Sequence, residues 1–587
     1  MKLAIYSKGN KLYLALGDFK NGVFLGEDEL GRPVRLKRVD FLCGDVKVKP
    51  DFNALRELVK EDDIRRVWEL GEDLDINTLC EILGNNSPEF KASVYLVLNS
   101  TPYFKLEGDT LHRRDENQVK SIIEAERAKE REEEILKEVE NILKGRKTDI
   151  LEEVLKIYNY GSGDRDVERV IKKIPDFWNK LLDTGLVGIG DIGFEIRALM
   201  NENTGNYTGM DFPYEDLTHL DTFSVDDEDT EDIDDAISIC GNKLYIHIAL
   251  PYAFCRRGCE ADREALNRGA TLYLPDGKWH MYPKEMVENS SLLPGYERPT
   301  LTLEVDFDGN FEIKGYRFKV AKVINKRKLS YKNAEETLKS MGIWENLMRI
   351  SGYLRDLRVK RGGVVIDNYF LKVLLKEGEI LVSVEPPNDA SRIITELMIF
   401  YNSKAGEFLA NRGIPAIFRV QNEPVDGEIP EPNDPLYYPK IKSLSKPITS
   451  TTKPGPHLTT GVDYYTRATS PIRRYSDVLN QHQLLAALGY VEPLKEEILT
   501  EEMQTALSGE YKRHNAQRNR TNFLILHKIL LDGLVEGIAY KENNVFLPKY
   551  LFLNAKSTKR LEVGKRYNFK VKGVLFSSQK VILSPLE

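Results

Sequence analysis

The chain has 587 residues, of which 41% are hydrophobic and 30% are charged, and its formal net charge is −8. This length is too great for one core and predicts several domains. No apolar run approaches the roughly 20 residues that a membrane span needs, so we expect a cytoplasmic protein with no membrane partner. The five cysteines are too few and scattered for a disulfide framework, and the eight histidines lack the spacings of zinc sites.

The predicted secondary structure of the amino-terminal third of the chain changes twice, near residue 50 and near residue 115. Residues 1–49 are predicted to form a small β-barrel, because short strand-like runs alternate with Gly and Asp turns. Residues 50–114 are predicted to be a winged-helix-like domain, since helical periodicity precedes two short strands about a Glu-Gly-Asp turn. Such a shape binds nucleic acid in some proteins and only packs in others. Residues 115–212 are predicted to be helical, beginning with a long charged helix.

The segment Asp226–Asp235 contains eight acidic residues and no basic one. Such a run is usually a solvated, disordered tract. Here apolar residues enter and leave it, and two predicted strands, 236–240 and 244–248, are joined by the hairpin signal Gly241-Asn242. Carboxylates held close on folded chain repel one another, and a hard cation such as Mg²⁺ relieves the repulsion. An EF-hand is the rival cation site, but its loop needs a glycine that this run lacks.

The same segment carries a family resemblance. Phe223-Ser-Val-Asp226 and Thr230-Glu-Asp232-Ile-Asp234-Asp235-Ala236 resemble the signature of the ribonuclease II/ribonuclease R (RNB) family of exoribonucleases. Four further motifs agree in order: Tyr273-Leu-Pro275, Leu329-Ser-Tyr331, Glu396-Leu-Met-Ile399 and Thr469-Ser-Pro-Ile-Arg-Arg-Tyr475. The resemblance implies an α+β multidomain protein whose RNB catalytic domain, a mixed sheet with helices, covers residues 213–490.

The resemblance also implies a metal centre. Asp226 and Asp235 are expected to be direct ligands of one metal ion, and Asp232 and Asp234 to complete the coordination through water and a second ion. Two Mg²⁺ ions, or Mn²⁺ in their place, would activate a water and neutralise charge on the phosphate. Asp232, Asp234 and Arg473 are the expected catalytic residues.

Two adjacent arginines and an aromatic pocket are the expected RNA contacts. One arginine could instead pair with a structural carboxylate such as Asp477. The resemblance favours Arg473 as the clamp on the scissile phosphate, with Arg474 as the second candidate. It further implies that Tyr331 stacks on the terminal base and that Glu396 holds a ribose hydroxyl, which would favour RNA over DNA. The remaining expected RNA contacts are Tyr273, Thr469 and Ser470.

The carboxyl-terminal part is predicted to contain a helical connection over 491–532 and an OB-type RNA-binding barrel over 533–587. From residue 534 onward there are ten Lys and Arg against four Asp and Glu, a charge that suits nucleic acid. Two or three of its aromatic residues are expected to stack on bases, from the set Tyr540, Phe546, Tyr550, Phe552 and Phe569.

We therefore expect a Mg²⁺-dependent, monomeric 3′→5′ exoribonuclease that hydrolyses single-stranded RNA to nucleoside 5′-monophosphates. Two alternatives stay open. One is a catalytically silent RNA-binding or adaptor protein on the same fold, and the other is a two-metal endoribonuclease. End-labelled RNA separates the three, because they give stepwise release of mononucleotides, no products and internal fragments, respectively.

Overall fold

The computed structural model describes residues 1–8 and 11–586, which fall into two compact units, Met1–Val139 and Glu140–Glu587. No helix of the described residues is both long and apolar enough to cross a membrane. The elements up to the unit boundary, which lies within α5, are β1 (Lys2–Lys8), β2 (Lys11–Lys20), β3 (Val23–Asp28), β4 (Pro33–Leu36), β5 (Phe41–Asp45), α1 (Phe52–Leu55), α2 (Glu61–Trp68), β6 (Leu74–Asp75), α3 (Ile76–Ile82), α4 (Pro88–Ser100), β7 (Phe104–Glu107), β8 (Thr110–Arg113) and α5 (Glu116–Leu143).

The first unit begins with an antiparallel sheet of order β4-β3-β2-β1-β5. Within residues 1–8 and 11–586 the outer strands β4 and β5 do not pair with each other, so the segment predicted as a small barrel is observed as a five-stranded sheet. The predicted hairpin is confirmed as β7 and β8, and β6 joins it on the other side of β8. The long charged helix is confirmed as α5.

The second unit contains the remaining elements, which are α6 (Leu151–Tyr160), α7 (Arg165–Lys172), α8 (Phe177–Asp183), α9 (Phe194–Arg197), β9 (Glu215–Asp216), β10 (Thr222–Asp226), β11 (Asp235–Cys240), β12 (Lys243–Ala249), α10 (Glu260–Arg268), β13 (Leu272–Leu274), β14 (Gly277–Trp279), α11 (Lys284–Ser290), β15 (Glu297–Phe307), β16 (Ile313–Ser330), α12 (Ala334–Ser340), α13 (Trp344–Lys360), β17 (Phe370–Lys376), β18 (Glu379–Glu385), α14 (Asp389–Ala410), β19 (Phe418–Val420), α15 (Tyr437–Leu444), β20 (Thr449–Thr451), α16 (Tyr475–Ala487), α17 (Glu496–Asp532), β21 (Leu534–Lys541), β22 (Asn544–Leu547), β23 (Phe552–Ser557), β24 (Arg566–Leu575) and β25 (Lys580–Pro585).

A mixed six-stranded sheet forms the centre of this unit, in the order β10-β11-β12-β15-β16-β9, and β10 also pairs in parallel with β16. The predicted hairpin is confirmed, since Cys240 faces Lys243 across the Gly241-Asn242 turn. Gly241 has φ +60°, the positive value that a type II′ turn requires at its first central residue. Strands β10 and β11 are antiparallel neighbours. The end of β10 and the start of β11 therefore lie at the same end of this strand pair, and the acidic run connects them.

The chain ends in a closed barrel of order β21-β22-β23-β25-β24. The carboxyl-terminal barrel predicted from the sequence is therefore confirmed. Four of the five aromatic residues expected to supply stacking surfaces are buried: Phe546, Tyr550, Phe552 and Phe569. A five-stranded barrel needs large side chains to fill its interior, so the expectation that two or three stack on bases is wrong. The hydroxyl of the fifth, Tyr540, donates to the Leu553 carbonyl.

A buried carboxylate on β15 gives the first testable prediction. Burial opposes ionisation of Glu304, but contacts with Lys243, Lys319 and Arg317 hold its pKa at about 2, below the ordinary 4.5. Glu304→Gln is expected to destabilise the fold by about 3 kcal/mol at pH 7. Because the folded-state pKa is lowered, the contribution is present above pH 4.5 and is lost as the pH falls towards 2. Urea unfolding at pH 7 and pH 3 measures it.

The matched control is Glu215→Gln, because Glu215 also contacts Lys319 but its side chain is half exposed. An exposed ion pair contributes about 1 kcal/mol or less. An equal loss of stability from Glu304→Gln at both pH values would contradict the assignment of the effect to the ionised carboxylate.

Candidate active site

Two aspartates lie side by side where β10 and β11 meet. Asp226 is the last residue of β10 and Asp235 is the first of β11. Asp226 accepts a hydrogen bond from the Thr230 hydroxyl at 3.1 Å. Burial raises the pKa of Asp235 to about 8, with Asp226 and Asp234 adding to the rise, and burial also raises the pKa of Asp226. Within the described part of the chain neither Asp226 nor Asp235 has an ion-pair partner.

The other two predicted aspartates are buried and have cationic partners. Asp234 accepts from the Ile472 backbone amide and the Arg473 Nε, both at 2.9 Å. Asp232 accepts from Lys278 Nζ at 2.8 Å and from the Tyr273 hydroxyl. Burial opposes ionisation of Asp232, but Lys278 outweighs it and lowers the pKa of that carboxyl. The four aspartates are thus divided into a paired set and an unpaired set.

Backbone hydrogen bonds fix the loop that carries these side chains. Ile233 is fully buried; its amide donates to the Ser291 hydroxyl at 2.9 Å and its carbonyl accepts from Leu292 at 3.0 Å. The Asp234 carbonyl accepts from Ala249 at 2.8 Å. Lys328 Nζ donates to the carbonyl of Thr230 at 2.6 Å. The acidic run is therefore ordered chain and not a solvated tract.

The two adjacent arginines have different surroundings. Arg474 donates from Nε and Nη2 to the two carboxylate oxygens of buried Asp477, at 3.1 and 2.7 Å. The structural pairing that the sequence offered for one arginine therefore involves Arg474. Arg473 binds Asp234 and, through Nη2, the Ser470 hydroxyl at 3.1 Å, and its side chain stays 44% exposed. Thr469 is buried, and its hydroxyl accepts from Asn402 at 3.2 Å.

Of the two residues expected to hold the 3′ end, Tyr331 lies near the unpaired aspartates and Glu396 lies in a buried ion pair. Burial raises the pKa of the Tyr331 hydroxyl, and the nearby unpaired aspartates, Asp226 and Asp235, add to the rise. Its ring stacks on Phe370, with centroids 6.3 Å apart and planes at 19°. Glu396 is buried in an ion pair with Arg358, whose Nε and Nη2 donate at 2.8 and 2.5 Å. Arg358 already donates to both carboxylate oxygens of Glu396. A ribose hydroxyl bound by Glu396 would therefore have to share one of these oxygens with Arg358.

Sequence reasoning missed two residues of this site, Lys278 and Phe370. Lys278 contacts Asp232 across 46 positions of sequence, and no local pattern indicates that pairing. Phe370 begins β17 and its side chain is 48% exposed. An exposed aromatic residue at the start of a strand is by itself a weak indication of a binding site. In the structure Phe370 stacks on Tyr331, and only this contact connects it to the site.

A divalent cation fits the unpaired set. Among residues 1–8 and 11–586, no group of three or more His, Cys, Asp or Glu side chains is arranged as a complete metal site. Asp226 and Asp235 nevertheless offer oxygen donors that Mg²⁺ prefers, and Mg²⁺ usually keeps several waters, so two carboxylates suffice. Burial raises the pKa of both carboxyls, and for Asp235 the charge of Asp226 adds to the rise; a bound cation would favour the ionised form of both.

A cavity of about 740 Å³ lies elsewhere in the second unit. Its lining includes aromatic residues of α6, α8 and α17 and of the turn between β24 and β25: Tyr158, Phe177, Trp178, Phe523 and Phe576. None of the predicted site residues lines it, so the cavity is separate from the acidic loop.

Comparison with known proteins finds a family model that matches the centre of the chain. Residues 214–490 match the RNB domain model. An uncharacterised ribonuclease of Synechocystis is 30% identical over 292 residues, covering 46% of this chain and 43% of the relative. Ribonuclease R of Aquifex aeolicus is 27% identical, and the match covers 46% of this chain and 46% of the relative. Exoribonuclease 2 of Cronobacter sakazakii is 29% identical, and the match covers 47% of this chain and 50% of the relative. The chain spans about half the length of the curated relatives it matches.

Solved structures share the fold at low sequence identity. The Dss1 exoribonuclease of Candida glabrata has a TM-score of 0.61 at 15% identity, covering 99% of this chain and 98% of its own. Mycoplasma genitalium RNase R, in complex with ribose-methylated single-stranded RNA, has a TM-score of 0.56 at 20% identity, covering 67% and 78%. Yeast Ssd1, a pseudonuclease, has a TM-score of 0.50 at 16% identity, covering 67% and 58%. Neighbours of this fold thus include an inactive one.

Proposed function

Because residues 214–490 are an RNB domain, we propose that the chain is a divalent-metal-dependent exoribonuclease that hydrolyses single-stranded RNA from its 3′ end to nucleoside 5′-monophosphates. One observation carries the proposal. Two buried aspartates have cationic partners, whereas Asp226 and Asp235, at the end of β10 and the start of β11, have none among the residues that the structure describes. A protein that only binds RNA gains nothing from keeping two repelling carboxylates in this place, because they would also repel phosphate.

In this proposal Asp226 and Asp235 hold the cation. A bound Mg²⁺ supplies a water of lowered pKa and neutralises charge on the phosphate. The second ion expected from the sequence stays a prediction. Arg473 supplies the protein's own positive charge: Asp234 fixes the guanidinium through Nε, and the exposed part of the side chain is free to donate to phosphate oxygens. Asp234 also accepts a hydrogen bond from the Ile472 backbone amide, so it orients the loop that carries Arg473.

The Tyr331–Phe370 pair gives a prediction for RNA binding. We propose that these rings stack on bases near the 3′ end, because Tyr331 adjoins the unpaired aspartates and Phe370 is half exposed. Stacking on one aromatic ring contributes about 1–3 kcal/mol per base. Tyr331→Ala is therefore expected to weaken binding of a short single-stranded RNA by about 10–100-fold, measured by fluorescence anisotropy in chelator. Tyr331→Phe is the matched control and should bind as the native protein does; equal losses in both would assign the effect to the hydroxyl.

Incubation of 5′-labelled single-stranded RNA with the full chain and Mg²⁺ tests the proposed function. A ladder that shortens one nucleotide at a time from the 3′ end supports it. Internal fragments would support the two-metal endoribonuclease instead. Binding without any product would support the catalytically silent adaptor; one neighbour of the fold, yeast Ssd1, is a pseudonuclease.

A further inference from the structure

We infer that Lys278 supplies the positive charge at Asp232 that a second metal ion would otherwise supply, so that the protein without RNA binds one divalent cation, at Asp226 and Asp235. The inference rests on the proposed function and makes it more specific. Lys278 is then a positioning residue of the catalytic centre, and no local sequence pattern indicates that role.

A short hairpin delivers Lys278 to the acidic loop. Lys278 on β14 lies directly opposite Tyr273 on β13, and opposed residues of an antiparallel pair point to the same face. Both side chains reach the same carboxylate, with the Lys278 Nζ at 2.8 Å from one oxygen of Asp232 and the Tyr273 hydroxyl on the other. The two oxygens of Asp232 are therefore both engaged from one side by the hairpin.

The hairpin itself is rigidly anchored. Asp276, in its turn, accepts two hydrogen bonds from Arg520 of α17 at 2.8 and 2.6 Å. Arg520 is fully buried and also donates to the carbonyls of Ile189 and Asp191 at 2.6 and 2.9 Å. Such an anchor limits how far Lys278 can withdraw from Asp232, so the pairing belongs to the fold and is not a chance surface contact.

A count of charges then gives the number of cations. The four aspartates carry four negative charges when ionised, and Lys278 and Arg473 neutralise two of them. The two that remain belong to Asp226 and Asp235, and one divalent ion balances them. A second divalent ion at Asp232 would lie against the ammonium group of Lys278. The side chains of Lys278 and Asp232 are only 25% and 3% exposed, so water would screen that repulsion poorly.

Counting bound Mn²⁺ on the full chain without RNA, by electron paramagnetic resonance, tests the inference. The native protein is expected to bind one Mn²⁺. Lys278→Met leaves Asp232 without its counter-ion and is expected to bind two. Lys278→Arg keeps the charge and is expected to bind one, as is Lys332→Met, which removes a lysine whose side chain is 70% exposed. A purely structural role for Lys278 would change the melting temperature of Lys278→Met without changing the count.

Other outcomes distinguish the role of Lys278 from the proposed exoribonuclease activity. Two ions on the native protein, or one on Lys278→Met, would overturn the role of Lys278 and leave the exoribonuclease proposal intact if the RNA ladder is seen. No bound Mn²⁺ together with no hydrolysis would overturn both. Should Lys278→Met fail to fold, the native count and the Lys278→Gln variant, which is nearly the same length and also neutral, decide the question.

Discussion

Asp235→Asn is expected to lower the rate of RNA hydrolysis by at least about 10³-fold, about 4 kcal/mol of transition-state stabilisation, and to raise the melting temperature measured in chelator. We expect activity to fall because the proposed cation would lose one of its two carboxylate ligands. Stability rises because Asp235 is buried beside Asp226 and Asp234, whose negative charges oppose its ionisation. A gain in stability with a loss of activity is typical of a functional residue held at a cost to the fold.

The matched control is Asp227→Asn, one residue beyond Asp226 on the same loop and exposed. It is expected to change neither the rate nor the melting temperature appreciably, since surface substitutions usually change stability by about 0.5 kcal/mol or less. Native-like hydrolysis by Asp235→Asn would remove this aspartate from the centre. A lowered melting temperature would show that the carboxylate is stabilising and not strained.

Lysine substitution of the two neighbouring arginines is expected to separate catalysis from stability. Arg473→Lys should lower the turnover rate by about 10²–10³-fold with little change in melting temperature, because a lysine cannot keep the contact with Asp234 and donate to a phosphate with a planar fork. Arg474→Lys should lower the melting temperature, because buried Asp477 loses one of its two hydrogen bonds to the guanidinium, a loss of about 1–3 kcal/mol. Single-turnover RNA hydrolysis and thermal unfolding measure the two effects.

The pair of variants is its own control, since the two positions adjoin each other and the substitution is the same. A larger rate loss in Arg474→Lys than in Arg473→Lys would reverse the assignment of the phosphate contact. Equal losses of both rate and stability would indicate that the two arginines act only as one structural unit.

The acidic loop could be predicted from sequence because its signals are local. The Gly241-Asn242 turn predicts the hairpin that begins at Asp235. The antiparallel pairing of β10 with β11 then brings Asp235 and Asp226 to the same end of the two strands. The apolar residues that enter and leave the run predict folded chain, and the structure places Ile233, within the run, in the core.

The rest of the site depends on contacts distant in sequence. Lys278 reaches Asp232 from a separate hairpin, and the partner of Glu396 is Arg358 on α13, so neither pairing leaves a periodic or motif signal. The identity of the arginine that pairs with Asp477 could not be predicted, because both arginines lie within a helical turn of it. The barrel aromatics were misjudged because alternation along a strand does not tell which face of a small closed sheet points inward.

The most direct test of the central claim is the identity of the nucleotide released from RNA labelled at its 3′-terminal residue. With Mg²⁺ the native chain is expected to release the labelled residue as a nucleoside 5′-monophosphate, and release should cease in chelator and in Asp235→Asn. Release that continues without a divalent cation, or that is unchanged in Asp235→Asn, would contradict hydrolysis at a metal centre built on Asp226 and Asp235.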